Sequence, residues 1–236
     1  MNLFVGTSGY SYKEWKGHFY PEDLPDREML KYYATQLNSV EINNTFYRMP
    51  KESLLKSWAD QVPEQFRFVL KASQKITHFK RLKEAGEETA YLMRMAKTLR
   101  ERLGVILFQL PPNLKKDVPR LQGFLKLLPE DVRAAFEFRH ASWFDQETFG
   151  SLTERGCALC IADADDELDV PFVSTASWSY LRLRREQYSP ADLKKWSERI
   201  HTQGWSDAFV FFKHEDEATG PKLAKKFLGL VGADQL

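Results

Sequence analysis

Eight short apolar runs recur along the chain, at 3–6, 39–43, 67–71, 105–109, 134–138, 158–162, 179–183 and 208–212. Each has the length of a strand and not of a helix. The segments between them carry helical spacing instead: Met29, Leu30, Tyr33 and Leu37; Leu54, Leu55, Trp58 and Val62; Leu92, Met95 and Leu99; Leu121, Phe124, Leu125 and Leu128. Ser189-Pro190-Ala191-Asp192 has the pattern of a helix start, with a capping Ser, Pro in the first turn and an acid three residues on. Strand and helix in alternation imply parallel strands joined by crossover helices. Eight such units predict an α/β fold of the (β/α)8 TIM-barrel type, with an open doubly wound sheet as the alternative. One unit breaks the pattern. Residues 163–178, DADDELDVPFVSTASW, hold no clean apolar stripe and a Pro in the middle, so the sixth helix is expected to be irregular or missing. No linker or composition shift divides residues 1–236, which reads as one domain.

In such barrels the functional groups stand at the C-terminal ends of the strands. Those positions hold Thr7, Ser8, Gly9 and Tyr10 after the first run, then Glu41 and Asn43, Lys71, and Gln109. They continue with Glu137, Arg139 and His140, then Asp163, Arg182 and Arg184, and finally Lys213 and His214. A period of two sorts the faces. Phe136 and Phe138 belong under the helices, which turns Glu137 and Arg139 into the mouth; Val40 and Ile42 likewise send Glu41 and Asn43 inward. Glu41, Glu137 and Asp163 are the catalytic candidates, with one glutamate raised in pKa by burial beside the other. The competing reading is that interior carboxylates and arginines merely fill the barrel. The first loop, TSGYSYKEWKGHFYPEDLP (7–25), is long and aromatic, as binding loops often are, so a share of its rings is expected to face a ligand.

Composition excludes some classes. Lys plus Arg number 34 against 33 for Asp plus Glu, a formal charge of +1, which argues against a dedicated nucleic-acid coat or a polybasic membrane binder. No apolar run approaches the ~20 residues of a membrane helix. The start, MNLFVGTSGY, lacks the charged n-region of a signal peptide, and a cytoplasmic protein is the expectation. The two cysteines, Cys157 and Cys160, form a CxxC inside a strand, where residues three apart face opposite ways; they read as buried structural thiols.

The pieces GTSGYSYKEW, NSVEINNTFYRMP, KASQKITHFKRL, QLPPNL, EFRHASWF and FVFFKHEDEATGPKLAKKF, in that order, resemble the DUF72 (YecE-like) family over nearly the whole chain. The resemblance implies a TIM-type barrel and no established activity. By motif it points to Thr7, Ser8, Gly9, Glu41, Asn43, Tyr47, Lys71, Gln109, Glu137, Arg139 and Trp143. Many family members end the eighth strand in an Asn-rich segment, where this chain has Lys213-His214-Glu215-Asp216.

Three functions follow. Lys71, Arg139, Arg182 and Lys213 converging on a small phosphate-bearing anion, with paired carboxylates for acid–base work, would make a hydrolase of phosphodiester or sugar-phosphate bonds. Two carboxylates flanked by aromatics would suit a glycosidase-like hydrolase. Basic, aromatic loops would suit a non-enzymatic nucleic-acid binder. No cofactor signature stands out; a single Mg2+ or Mn2+ held by Glu41, Glu137 and Asp163 is left open, since hard cations take oxygen ligands.

Overall fold

The computed structural model describes residues 1–165, 168–213 and 216–233. Every predicted run is a strand: β1 (Asn2–Thr7), β2 (Ser39–Ile42), β3 (Arg67–Lys71), β4 (Leu103–Gln109), β5 (Ala134–Glu137), β6 (Ala158–Asp163), β7 (Trp178–Leu183) and β8 (Asp207–Phe212). All neighbours pair in parallel, in the order β1-β8-β7-β6-β5-β4-β3-β2. The crossover helices are α1 (Met29–Gln36), α2 (Glu52–Asp60), α3 (Gly86–Ala96), α4 (Val118–Leu125), α5 (Gln146–Glu154), α6 (Pro190–His201) and α7 (Thr219–Ala233). Among the described residues no helix joins β6 to β7, as the broken pattern of 163–178 predicted. The fold is therefore a nearly closed TIM-type barrel. No helix among the described residues is long and apolar enough to cross a membrane.

The order leaves β1 and β2 to close the ring, and side chains make most of that seam. Asn38 acts as a local piece of ladder: its Oδ1 accepts from Val5 N at 2.7 Å and its Nδ2 donates to Leu3 O at 2.8 Å. Tyr33 of α1 accepts from Thr7 N at 2.8 Å and donates to Ser39 O at 3.0 Å. Gly6 is required there, because a Cβ would lie 1.9 Å from Ser39 O. Past it the backbones rejoin: Ser8 bridges Glu41, and Gly9 N donates to Glu41 O at 2.8 Å. This closure fixes the end of β1 against Glu41.

Two apolar layers flank the sheet. Inside the ring lie Val69, Val105, Leu107, Ala135, Cys160, Tyr180, Phe209 and Phe211. Outside, Phe108 and Phe136 stack at 5.2 Å and Phe124 of α4 meets Phe108 edge-on. Phe136 thus faces the helices while Ala135 and Glu137 face inward, as the alternation predicted. A one-residue slip of β5 would exchange those faces and bury Phe136 in the polar mouth. The cysteines diverge as expected, Cys160 into the ring and Cys157 into the outer layer. Ser189 caps α6 with a reciprocal pair: its Oγ accepts from Asp192 N and Asp192 Oδ2 accepts from Ser189 N, an arrangement that stabilises a helix by about 1 kcal/mol.

The first loop departs from expectation. Trp15 and Tyr20 are fully buried, and Tyr12, Phe19 and Tyr32 pack around them. Its rings mostly extend the outer core over α1.

Candidate functional site

The C-terminal end of the ring is built around one guanidinium. Arg182, carried inward by β7, is 2% exposed. Its Nη2 lies 2.8 Å from Glu41 Oε1 and its Nη1 2.6 Å from Glu137 Oε2. Each carboxylate is then completed from a different strand. Ser8 Oγ donates to Glu41 Oε1 at 2.8 Å and Tyr180 OH to Glu41 Oε2 at 2.5 Å. Gln109 Nε2 donates to Glu137 Oε1 at 2.9 Å, and Arg184 Nη1 stands 3.8 Å from that oxygen. Burial acting alone would raise both carboxyls. Arg182 outweighs it, helped by Tyr180 and Ser8 at Glu41 and by Arg184 and Gln109 at Glu137, so both pKa values lie below the ordinary range. The expectation that one glutamate is raised is therefore corrected: both are held ionised.

Above this floor the charges are less balanced. Lys71 ends β3, half-buried, with Nζ 4.4 Å from the centre of the Phe46 ring. Burial first, then Arg182, pushes its pKa down to about 8, against the opposite pull of Glu137 and Glu41. His78 stands edge-on to Phe46 at 4.9 Å. Its pKa is lowered by burial and then by Lys71 and Arg139, which keeps the imidazole neutral near pH 7. Beside Glu137 opens a cavity of about 220 Å3 lined by Arg139, Arg184, Lys213 and Asp165.

The expected residues separate into groups. Ser8, Glu41, Gln109, Glu137 and Arg182 meet in one hydrogen-bonded cluster, with Lys71 above it. Arg139 and Lys213 are exposed and line the cavity. Thr7 and Gly9 shape the β1 turn: Thr7 Oγ1 donates to Gly9 O at 2.6 Å, and Gly9 adopts φ +95° under Tyr12. Asn43 is half-buried, its Oδ1 enclosed without a hydrogen-bond partner among the described residues. Tyr47 is 71% exposed on the loop after β2.

Three expectations fail on geometry. Asp163 follows Ala162 on β6 and points outward, where its Oδ2 accepts from Trp196 Nε1 and from Arg185 Nε, both at 3.0 Å. Glu41, Glu137 and Asp163 therefore do not converge, and among the described residues no group of three His, Cys, Asp or Glu is placed to hold a metal ion. Trp143 is buried in the outer layer, stacked on Phe138 at 4.7 Å, with Nε1 donating to Leu114 O at 2.8 Å. Tyr10 packs on Tyr33 at 6.2 Å, and burial pushes its pKa up to about 12. His214 lies outside the described residues. Tyr180, Phe46 and His78 are not among the residues that the strand-end positions single out. Tyr180 carried a usable signal, since it precedes Arg182 by two on one strand face.

Comparisons with known proteins agree with this fold. YecE of Escherichia coli K12, a UPF0759 protein, is 32% identical over 169 residues, covering 69% of this chain and 59% of YecE. The chain thus matches less than two thirds of that relative's length. YunF of Bacillus subtilis, another UPF0759 protein, is 24% identical with 97% of this chain and 94% of YunF covered. A crystal structure of a DUF72 family protein from Thermotoga maritima superposes with a TM-score of 0.86 at 27% identity, covering 98% of this chain and 100% of that one. A DUF72 family protein of Enterococcus faecalis, 20% identical with a TM-score of 0.80 over 98% of this chain and 95% of that one, shares the fold. The model of the family described as "Protein of unknown function DUF72" matches residues 4–236, and the chain belongs to that family.

Proposed function

We propose that the protein is an enzyme acting on a small phosphate-bearing anion at the C-terminal mouth of the barrel. One observation carries this reading: the cavity beside Glu137 presents Arg139, Arg184 and Lys213 against two carboxylates, one of which already neutralises Arg182. Among the described residues that leaves an excess of positive charge facing an open space. Arg forks suit phosphate oxygens through paired N–H donors. Glu137 lines the same cavity in its ionised form, and in this reading it takes a proton from an attacking water. Hydrolysis of a phosphodiester or sugar-phosphate bond is the reaction that this pairing suits. Glu41, fully buried, holds Arg182 in place. The glycosidase-like reading is weaker, because a single guanidinium fills the gap between the two carboxylates. Nucleic-acid binding has one observation in its favour: Tyr47 and Phe79, on the loops after β2 and β3, are 71% and 70% exposed and offer stacking faces.

The test is a thermal-shift screen with inorganic phosphate, sugar phosphates, nucleotides, oligonucleotides and neutral sugars. A ligand at ~100 times its dissociation constant adds about 2.7 kcal/mol, or roughly 5 to 11 °C for a chain of this size. The expected result is a shift with phosphate compounds that disappears in Arg139→Ala/Lys213→Ala. Both positions are exposed, so the fold should survive the change. A panel without any phosphate-dependent shift overturns the reading, and a shift confined to oligonucleotides and steeply salt-dependent favours the stacking loops instead.

A further inference from the structure

Lys71 is the one interior cation of the mouth that the described structure leaves without a counter-charge. Val69 points into the ring, so Lys71, two residues on, points into the mouth above it. Among the described residues no hydrogen bond or ion pair reaches its Nζ; the contact recorded is the Phe46 ring at 4.4 Å. The two carboxylates within electrostatic reach are already occupied, Glu41 by Ser8, Tyr180 and Arg182, and Glu137 by Gln109 and Arg182. Arg182 and Arg184 add repulsion, and neutral His78 sits across the same phenyl ring. A structural lysine would be expected to pair with a carboxylate. An amine kept half out of water among other cations is instead the arrangement that frees a lysine to act as a nucleophile.

We propose that Lys71 forms an imine with a small anionic aldehyde or ketone whose charged group is held by Arg139, Arg184 and Lys213. This rests on the anion-binding reading above and adds the carbonyl to it. The Nζ lone pair forms the C–N bond while the carbonyl π electrons move to oxygen, which takes a proton. Nitrogen then gives a second proton to that oxygen, the C–O bond breaks, and one water leaves, giving the protonated imine. An amine titrating at about 8 supplies free base at neutral pH. The positive surroundings that favour the free amine also attract the anion.

The experiment is reductive trapping on the whole chain. Wild type and Lys71→Arg are treated at pH 7 with cyanoborohydride and dihydroxyacetone phosphate, dihydroxyacetone or formaldehyde, and adducts are mapped by peptide mass spectrometry. Lys71 is expected to react on the order of tenfold or more faster than exposed lysines, because its lower pKa leaves far more free amine. The labelling rate should rise with a midpoint near pH 8, following its pKa of about 8. Dihydroxyacetone phosphate should outrun dihydroxyacetone. Lys71→Arg should lose that adduct, label normally elsewhere and keep the phosphate-dependent thermal shift. If Lys71 is labelled no faster than exposed lysines by any of the three carbonyl compounds, the imine is overturned, and a persisting phosphate shift leaves the anion reading intact. If Lys71 is trapped while no phosphate compound shifts the melting temperature, the imine stands and the anion reading falls.

Discussion

The two ends of the barrel use the same residue types to different effect. At the N-terminal end, Arg133 Nη2 lies 2.7 Å from Asp207 Oδ2, and Asn2 and Ser206 complete that carboxylate at 2.9 Å each. The guanidinium covers Trp178 at 5.6 Å, and Arg67 covers Phe4 at 5.5 Å. These charges sit at the water's edge and close an apolar plug from outside. At the C-terminal end the order is reversed, because Arg182, Glu41 and Glu137 are enclosed inside the ring and the loops stand above them. Sealing a barrel needs only the first arrangement. Enclosing three charges costs desolvation that packing alone does not demand, and such a cluster gains from holding groups in a fixed geometry toward something else.

The sharpest way to break this contrast is Arg182→Met. It leaves two carboxylates facing each other in the interior, and loss of one partner of a buried ion pair costs about 3–5 kcal/mol, or roughly 6–20 °C in melting temperature. The pH dependence identifies the cause. In the wild type both glutamates have folded pKa values below the unfolded ones. Their stabilisation is therefore present above about pH 4.3, the unfolded value, and is lost as pH falls through the folded values. Without Arg182, burial raises them above the unfolded value, so the variant's deficit should be largest at pH 7 and shrink on approach to pH 5. Urea unfolding at both pH values measures this. A deficit independent of pH would mean that Arg182 acts by packing, and the two ends would then differ only in depth.

A smaller change at the same end is Tyr180→Phe, which removes one donor from Glu41 and keeps the ring packed at a tilt against Phe211. Hydrogen bonds to charged groups contribute about 1.5–3 kcal/mol, and a loss in that range is expected in denaturant unfolding. A loss below 0.5 kcal/mol, about the size of an ordinary surface change, would show Glu41 to be satisfied without the hydroxyl.

Much of this was legible in the chain and some was not, for reasons that particular residues make plain. Strand β5 announces its faces because Phe136 and Phe138 alternate with Ala135 and Glu137. Strand β6 does not, since Ala158, Cys160 and Ala162 are apolar like Leu159 and Ile161 and give no polarity contrast between its faces. Asp163 was therefore assigned to the mouth by its place at the strand end, although the alternation carries it to Trp196. Trp143 fails differently: an aromatic in a strand-end loop looks alike whether it stacks on Phe138 or on a ligand. Arg182 was expected as a substrate ligand and is instead the bridge between two glutamates, with Glu41 141 residues away in sequence. Such long-range saturation has no local signature. The same holds for Lys71, whose exclusion from the pairing shows only once every nearby carboxylate has been traced to its donors.

The smallest effect belongs to the other end. Arg133 is 39% exposed on a buried Asp207 that keeps two other donors, so the pair is worth little more than a surface ion pair, about 0–1 kcal/mol. Its cover over Trp178 adds a comparable cation–π contribution of about 0.5–1 kcal/mol. Arg133→Ala should therefore cost about 1 kcal/mol, with Asn2 and Ser206 still donating to Asp207. It should leave any phosphate-dependent thermal shift and the trapping of Lys71 unchanged, because the substitution lies at the opposite end of the barrel. Unfolding of Arg133→Ala beside Arg182→Met reads both quantities. A loss as large as that of Arg182→Met would place the essential charge pairing at both ends, and the enclosed cluster would then need no explanation beyond holding the ring together.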